Sequence, residues 1–181
     1  MARTPRKATP QSLENAALFY LGRFASSSEN LRRVLMRRVE RSARLHDTDR
    51  DEGREAVDRI VVRFQASGLV DDRAYAEGRA LALHRRGVPA RGIRARLVEK
   101  GVAPDHIEEA LASLAETGDN TDMAAAVNLA RRRRLGPYRA PSVRAELREK
   151  DLAALARAGF SYDIGRRIVD AETPEDLEPT D

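Results

Sequence analysis

Early in the chain, apolar side chains fall at Leu13, Ala16, Ala17, Tyr20, Leu21 and Phe24. This is the i, i+3, i+4, i+7 spacing that lines one face of a helix with about 3.6 residues per turn. It predicts a first helix. A second is expected after Ser26, Ser27 and Ser28, whose hydroxyls can take up the free N–H groups of a first turn, and it carries Leu31, Val34, Leu35 and Val39. Val57, Ile60, Val61 and Phe64 mark a third, stopped at Gly68. The same succession then returns as Asp72 to Arg86, ended by Gly87; Pro89 to Lys100, with a proline in its first turn and Gly101 at its close; and Asp105 to Ala115. A third round reads Asp122 to Leu135, a helix around Leu152 to Ala158 ended by Gly159, and Tyr162 to Val169. No stretch sustains a period of two residues, so the expected fold class is all-α.

The rounds superpose. An offset of 50 carries Val57, Ile60, Val61 and Phe64 onto Ile107, Ala110, Leu111 and Leu114. An offset of 62 carries Leu31, Arg32 and Leu35 onto Ile93, Arg94 and Leu97, and one of 58 aligns Gly101 with Gly159 and Asp105 with Asp163. Unequal offsets point to unequal loops: an acidic insertion from His46 to Gly53 in the first round and a linker from Pro137 to Lys150 in the third. Three short helices bury little alone, so neighbouring units are expected to stack and share apolar surface. The expected architecture is an elongated array of three tandem three-helix repeats. A flexible basic arm covers 1–12, the repeats 13–68, 69–118 and 119–170, and an acidic flexible tail 171–181.

Charge follows the same rhythm. The net values are +7 for residues 1–46, −4 for 47–72, +6 for 73–100, −6 for 101–122, +6 for 123–150 and −5 for 151–181. Of the 33 basic residues only Lys7, Lys100 and Lys150 are lysines. Arginine suits bidentate contact with phosphate or carboxylate, although genomic base composition also produces such a skew. Arg32, Arg33, Arg37 and Arg38 share one expected helix, and Arg91, Arg94 and Arg96 the matching one. Arg85 and Arg86 close a third, and Arg131, Arg132, Arg133 and Arg134 a fourth. At a helix end such a run complements the dipole, and it also offers contact with a polyanion or an acidic protein groove. The acidic stretches between argue against a simple DNA-coating protein.

Other chemistry has little to stand on. With no cysteine there is no disulfide or thiolate site, and His46, His84 and His106 are far apart in sequence, so no metal site is expected. No segment fits a phosphate-binding glycine loop, and no cofactor is expected. Asp71 and Asp72 precede a helix, where carboxylates satisfy N–H groups, and Ser26 to Ser28 read as a cap; no enzyme is expected. His84 is expected in a solvated position at its helix end. Tryptophan is absent, with only four Phe and four Tyr, so base-stacking platforms would have few aromatics. The longest apolar run, Ala16 to Leu21, has six residues. A membrane span needs about 20 and a secretory signal roughly 7 to 15, so no membrane contact and a cytoplasmic location are expected.

Several blocks together resemble one family. They are Ala17-Leu18-x-Tyr20-Leu21; Ser28-x-x-Leu31-x-x-x-Leu35; Gly68-Leu69-Val70-Asp71-Asp72-x-x-Tyr75-Ala76; Arg85-Arg86-Gly87 followed by Ile93, Leu97 and Lys100-Gly101-Val102; Ile107-x-x-Ala110-Leu111; and Arg157-Ala158-Gly159-Phe160-Ser161-Tyr162. In order and spacing they resemble the RecX family of recombination regulators, from about Ala16 to Asp170. Tyr75 stands where that family usually has Phe. The resemblance implies three tandem three-helix repeats and no catalysis. It also implies binding to the RecA recombinase filament, suppression of its ATPase and strand exchange, and some direct affinity for single- and double-stranded DNA, weak and non-specific. A monomer is expected. The candidate contacts with RecA or DNA are Arg32, Arg33, Arg37, Arg38, Arg85, Arg86, Arg94, Arg96, Lys100 and Arg131 to Arg134. Asp71, Asp72, Tyr75, Gly87, Gly101, Gly159 and Phe160 belong to the family motif and are expected to be structural. A stand-alone nucleic-acid binder using arginine–phosphate contacts is the alternative. Alternating charge and scarce aromatics favour the protein filament, whose groove can offer both signs.

Overall fold

The computed structural model describes residues 7–116 and 122–177. Most of the expected basic arm, the boundary at 118 and 119 between the second and third repeats, and the end of the expected acidic tail lie outside the described residues. The described residues form nine α-helices: α1 Pro10–Leu21, α2 Ser28–His46, α3 Arg50–Ala66, α4 Asp72–Arg85, α5 Ala90–Glu99, α6 Pro104–Glu116, α7 Asp122–Arg133, α8 Pro141–Ala158 and α9 Tyr162–Val169. Two 3-10 turns, Gly136–Tyr138 and Glu175–Leu177, complete them, with no strand among the described residues. The all-α class and the three-helix succession are those the apolar spacing predicts. The chain divides into two compact units, Met1–Ala76 with Val98–His106 and Glu77–Leu97 with Ile107–Asp181, so the division runs through α4, α5 and α6.

In the first unit Leu13 and Ala17 of α1, Leu31, Leu35 and Val39 of α2, and Val57, Val61 and Phe64 of α3 meet in one core with Val70. Thr9 opens α1 through a reciprocal cap: its hydroxyl accepts the Ser12 N–H at 3.2 Å and the Ser12 hydroxyl accepts the Thr9 N–H at 2.9 Å. Just ahead of it the Ala8 N–H donates to Ser42 Oγ at 2.8 Å, so the described end of the arm is tied to α2 and residues 10–12 are helical. The expected acidic insertion shrinks to the turn 47–49. Asp47 ends α2 at φ 52°, and Asp49 caps α3 by accepting the N–H groups of Asp51 and Glu52 at 2.8 and 3.0 Å. Gly53, expected at the end of that insertion, lies inside α3, where a side chain would strike Val39. Phe24 departs from its expected place on the first helix. It follows the helix end, 56% exposed, with its ring 5.3 Å from that of Tyr20.

The second unit is built on Ala126 and Leu129 of α7, Leu155 of α8, and Ile168 of α9, with Leu135 and Phe160. The expected linker from Pro137 to Lys150 is mostly helix, because α8 begins at Pro141. None of residues 141–150 is fully buried, and their one apolar pair at helical spacing, the half-buried Val143 and Leu147, is too short a stripe to mark a helix. His84 also departs from expectation: it is buried, only 4% exposed, with no hydrogen-bond partner at Nε2 among the described residues. With Ala76, Ala80 and Leu83 it completes an i, i+4, i+7, i+8 series, so helix period outweighs its terminal position.

Candidate functional site

Whether an arginine can meet a partner depends first on whether the fold already uses it. On α2, Arg32 is engaged: Nε lies 2.8 Å from Asp58 and Nη1 3.1 Å from Glu29. The hydrogen bond to Asp58 raises its guanidinium above the ordinary value. Arg33 bonds Glu29 at 3.0 Å and donates to the Glu99 carbonyl at 2.8 Å, so it clamps the end of α5. Arg94 is paired with Glu108. Lys100 contributes its backbone carbonyl, which accepts the Ser27 hydroxyl.

The remaining candidates stand open. Arg37 and Arg38 of α2, Arg85 and Arg86 at the end of α4, and Arg96 of α5 are exposed, and among the described residues none of them makes an ion pair. Arg131 to Arg134 are exposed as well, and Arg131 donates to Asn128 at 2.9 Å. The run ends in a left-handed residue, Arg134 at φ 54°, with the Leu135 N–H on the Ala130 carbonyl at 2.9 Å. Gly87 closes α4 the same way at φ 75°, with the Val88 N–H on the Leu83 carbonyl at 3.1 Å. Arg85-Arg86 and Arg132-Arg133 therefore occupy equivalent last-turn positions, where cations also face the helix carbonyls.

The motif residues make the joints between repeats. Asp71 caps its own helix, accepting the Ala74 N–H at 2.9 Å. Asp72 reaches back to α2 and accepts the Ser28 N–H at 2.7 Å and the Ser28 hydroxyl at 2.5 Å. In the second unit Asp122, first residue of α7, accepts the Ala90 N–H at the start of α5 at 2.8 Å. Asp72 to Asp122 is the offset of 50, and Ser28 to Ala90 the offset of 62. Each such cap is worth about 1 kcal/mol.

A second joint recurs with the first. Gly101, at φ 73°, lies so close to Glu29 of α2 that a side chain there would strike it. Gly159, at φ 108°, lies against Arg91 of α5, with a methyl group there 2.9 Å from the Arg91 Nε. A methyl group on Gly87 would sit 2.7 Å from the Leu129 backbone nitrogen. Phe160 is buried, and Tyr75 is half-buried on α4.

One charged site lay outside the sequence reading. Asp151 of α8 is buried, 1% exposed, with a bidentate pair to Arg139 at 2.7 and 2.7 Å and the Gly136 N–H at 2.9 Å. Burial pushes its carboxyl up, but the Arg139 and Gly136 hydrogen bonds outweigh it and hold the group below its ordinary value. Arg144 donates to the carbonyls of Pro137 and Glu172 at 2.7 and 2.6 Å, so these cations hold the turn before α8. Among the described residues no three of His, Asp and Glu gather as metal ligands, and no helix is long and apolar enough to cross a membrane.

Residues 71–111, from the Asp71 cap to Leu111, match the family model for the second three-helix domain of RecX. The regulatory protein RecX of Myxococcus xanthus (strain DK1622) is 42% identical over 168 residues, 92% of this chain and 89% of that protein. The regulatory protein RecX of Agrobacterium fabrum (strain C58 / ATCC 33970) is 36% identical over 166 residues, 91% of this chain and 84% of its own length. That of Thermobifida fusca (strain YX) is 29% identical over 119 residues, 65% of this chain and 62% of that protein. No solved structure matches the chain.

Proposed function

The chain belongs to the RecX family of regulatory proteins, and on that premise we propose that it binds a RecA–DNA filament and inhibits RecA ATPase, strand exchange and filament growth. The observation that carries the reading is the sorting of its arginines. Arg32, Arg33 and Arg94 are used within the fold, whereas Arg37, Arg38, Arg85, Arg86, Arg96 and Arg131 to Arg134 are exposed without an ion-pair partner among the described residues. Open guanidinium groups at equivalent helix ends suit a large partner with repeated acidic or phosphate groups. Linked contacts raise the effective concentration of each next one, with gains of roughly 10² to 10⁴ when the geometry fits.

The test is RecA ATPase on single-stranded DNA with and without the protein, together with capture of RecA after nuclease treatment. Inhibition with DNA-independent capture is the expected result. Capture that vanishes with the DNA, with ATPase unchanged, would leave a sequence-independent nucleic-acid binder instead.

A further inference from the structure

Two of the four phenylalanines, Phe64 and Phe160, are buried, at 4% and 5% exposure, whereas Phe19 of α1 is 64% exposed. It falls outside the stripe of Leu13, Ala16 and Ala17 that enters the core. Cations surround it. The Arg23 guanidinium stands 5.4 Å from the ring centroid, and Arg38 of α2 lines, with Ser12, Asn15, Ala16 and Phe19, a groove of about 240 Å³. Arg41 follows one turn after Arg38 on α2, also exposed. Among the described residues Arg23, Arg38 and Arg41 form no ion pair. Glu14 and Glu40, the acids of these two stretches, are already bound to Arg63 at 2.5 Å and to Arg50 at 3.1 Å.

An isolated exposed phenyl needs no explanation. A phenyl bordering a small groove, flanked by unpaired guanidinium groups and with no free carboxylate beside it, is complementary to a planar ring on an anionic backbone. Bases stack on aromatic faces whatever their sequence, while cations hold the phosphates. We propose that Phe19, with Arg23 and Arg38, is a stacking site for one unpaired base of single-stranded nucleic acid, the neighbouring phosphates falling to Arg38 and Arg41. The groove is too small for a helix of a protein partner, and a duplex offers no free base face. This site goes beyond the filament reading, because it acts in the absence of any recombinase.

The test measures binding of the full chain to a fluorescein-labelled oligothymidylate, an abasic strand of equal length and a duplex. Phe19→Ala should weaken oligothymidylate binding by about tenfold and leave the abasic strand and the duplex unchanged. Phe19→Trp should retain binding and give an indole emission, the only one in the chain, that oligothymidylate quenches and the abasic strand does not. Equal losses on all three ligands, or unchanged oligothymidylate affinity in Phe19→Ala, would overturn the proposal, as would an indole emission in Phe19→Trp that oligothymidylate leaves unquenched. Loss of RecA inhibition with oligothymidylate binding intact would assign Phe19 to a protein contact, whereas absent RecA inhibition alone would sink only the filament reading.

Discussion

Asp72, the first residue of α4, caps a helix to which it does not belong: its two carboxylate oxygens hold the backbone N–H and the hydroxyl of Ser28 at the start of α2. Asp122 does the same for Ala90 at the start of α5, through one bond. A repeat that cannot bury its apolar face alone gains register from such a bond, because only one stacking position brings the carboxylate to the free N–H.

The two joints should therefore differ in strength. Asp72→Ala removes two acceptor contacts and Asp122→Ala one, so both should lower unfolding stability by about 1 kcal/mol, with Asp72→Ala the costlier. Urea unfolding followed by circular dichroism reads both. Equal stability of parent and Asp72→Ala would show that the carboxylate carries no register energy.

Glycines that look alike should respond differently. Gly68 has φ 71° with nothing near a would-be methyl group, whereas Gly87 has φ 75° and faces the Leu129 backbone. Gly68→Ala should cost only the left-handed penalty, about 1 to 2 kcal/mol. Gly87→Ala adds a clash with main chain that cannot rotate away, for about 1 to 3 kcal/mol more. The reverse change, Arg134→Gly, relieves a side chain held at φ 54° and should raise the melting temperature. A lower melting temperature for that variant would mean that the arginine side chain itself stabilises the end of α7.

Much of this was legible in the chain, and the exceptions have physical causes. Apolar spacing located the helices, because burial imposes the helical period, and the offsets of 50 and 62 that align Val57 with Ile107 and Leu31 with Ile93 also align the two joints. Which of the adjacent Asp71 and Asp72 caps its own helix is set by the position of α2, which local sequence does not contain. The first turns of α8 escaped because Val143 and Leu147 are their one apolar pair and neither is fully buried, and Gly53 was placed in the insertion although close packing of α3 on Val39 requires it. His84 was expected in solvent from its place at the helix end, although its period with Ala76, Ala80 and Leu83 carries the signal for its burial. The arginines were legible as a set, but their division into used and open depended on partners such as Asp58 and Glu108.

Asp151 should give the molecule an acid-sensitive term. Its folded carboxyl is held below the ordinary value, so the unfolded chain binds its proton more readily. The stabilisation is complete above the unfolded value, about 3.9, and is lost as pH falls through the lower folded value. Arg139→Ala leaves the buried carboxylate without its guanidinium, at a cost of about 3 to 5 kcal/mol near neutral pH. Burial then acts with less opposition, and the acid loss should flatten or disappear. Stability measured from pH 7 downward in parent, Arg139→Ala and Asp151→Asn decides it; identical acid slopes in all three would show that the pair does not titrate with folding.

Arg32 and the run Arg131 to Arg134 should separate in salt. Direct DNA affinity resting on phosphate contacts falls with salt at a slope of about 0.9 per neutralised phosphate on duplex and about 0.7 on single strands. Replacing Arg131 to Arg134 with Gln removes exposed cations that form no ion pair among the described residues, so it should flatten the slope while unfolding stability stays close to the parent's. Arg32→Gln should do the opposite. Its guanidinium is spent on Asp58 and Glu29, so the salt slope should hold and stability should drop by no more than about 1 kcal/mol, as partly exposed pairs give. Fluorescence anisotropy across a salt series, beside urea unfolding of each variant, reads both quantities. A slope that flattens in Arg32→Gln and holds in the Arg131 to Arg134 replacement would place the phosphates on a guanidinium the fold already uses and overturn the division into used and open cations.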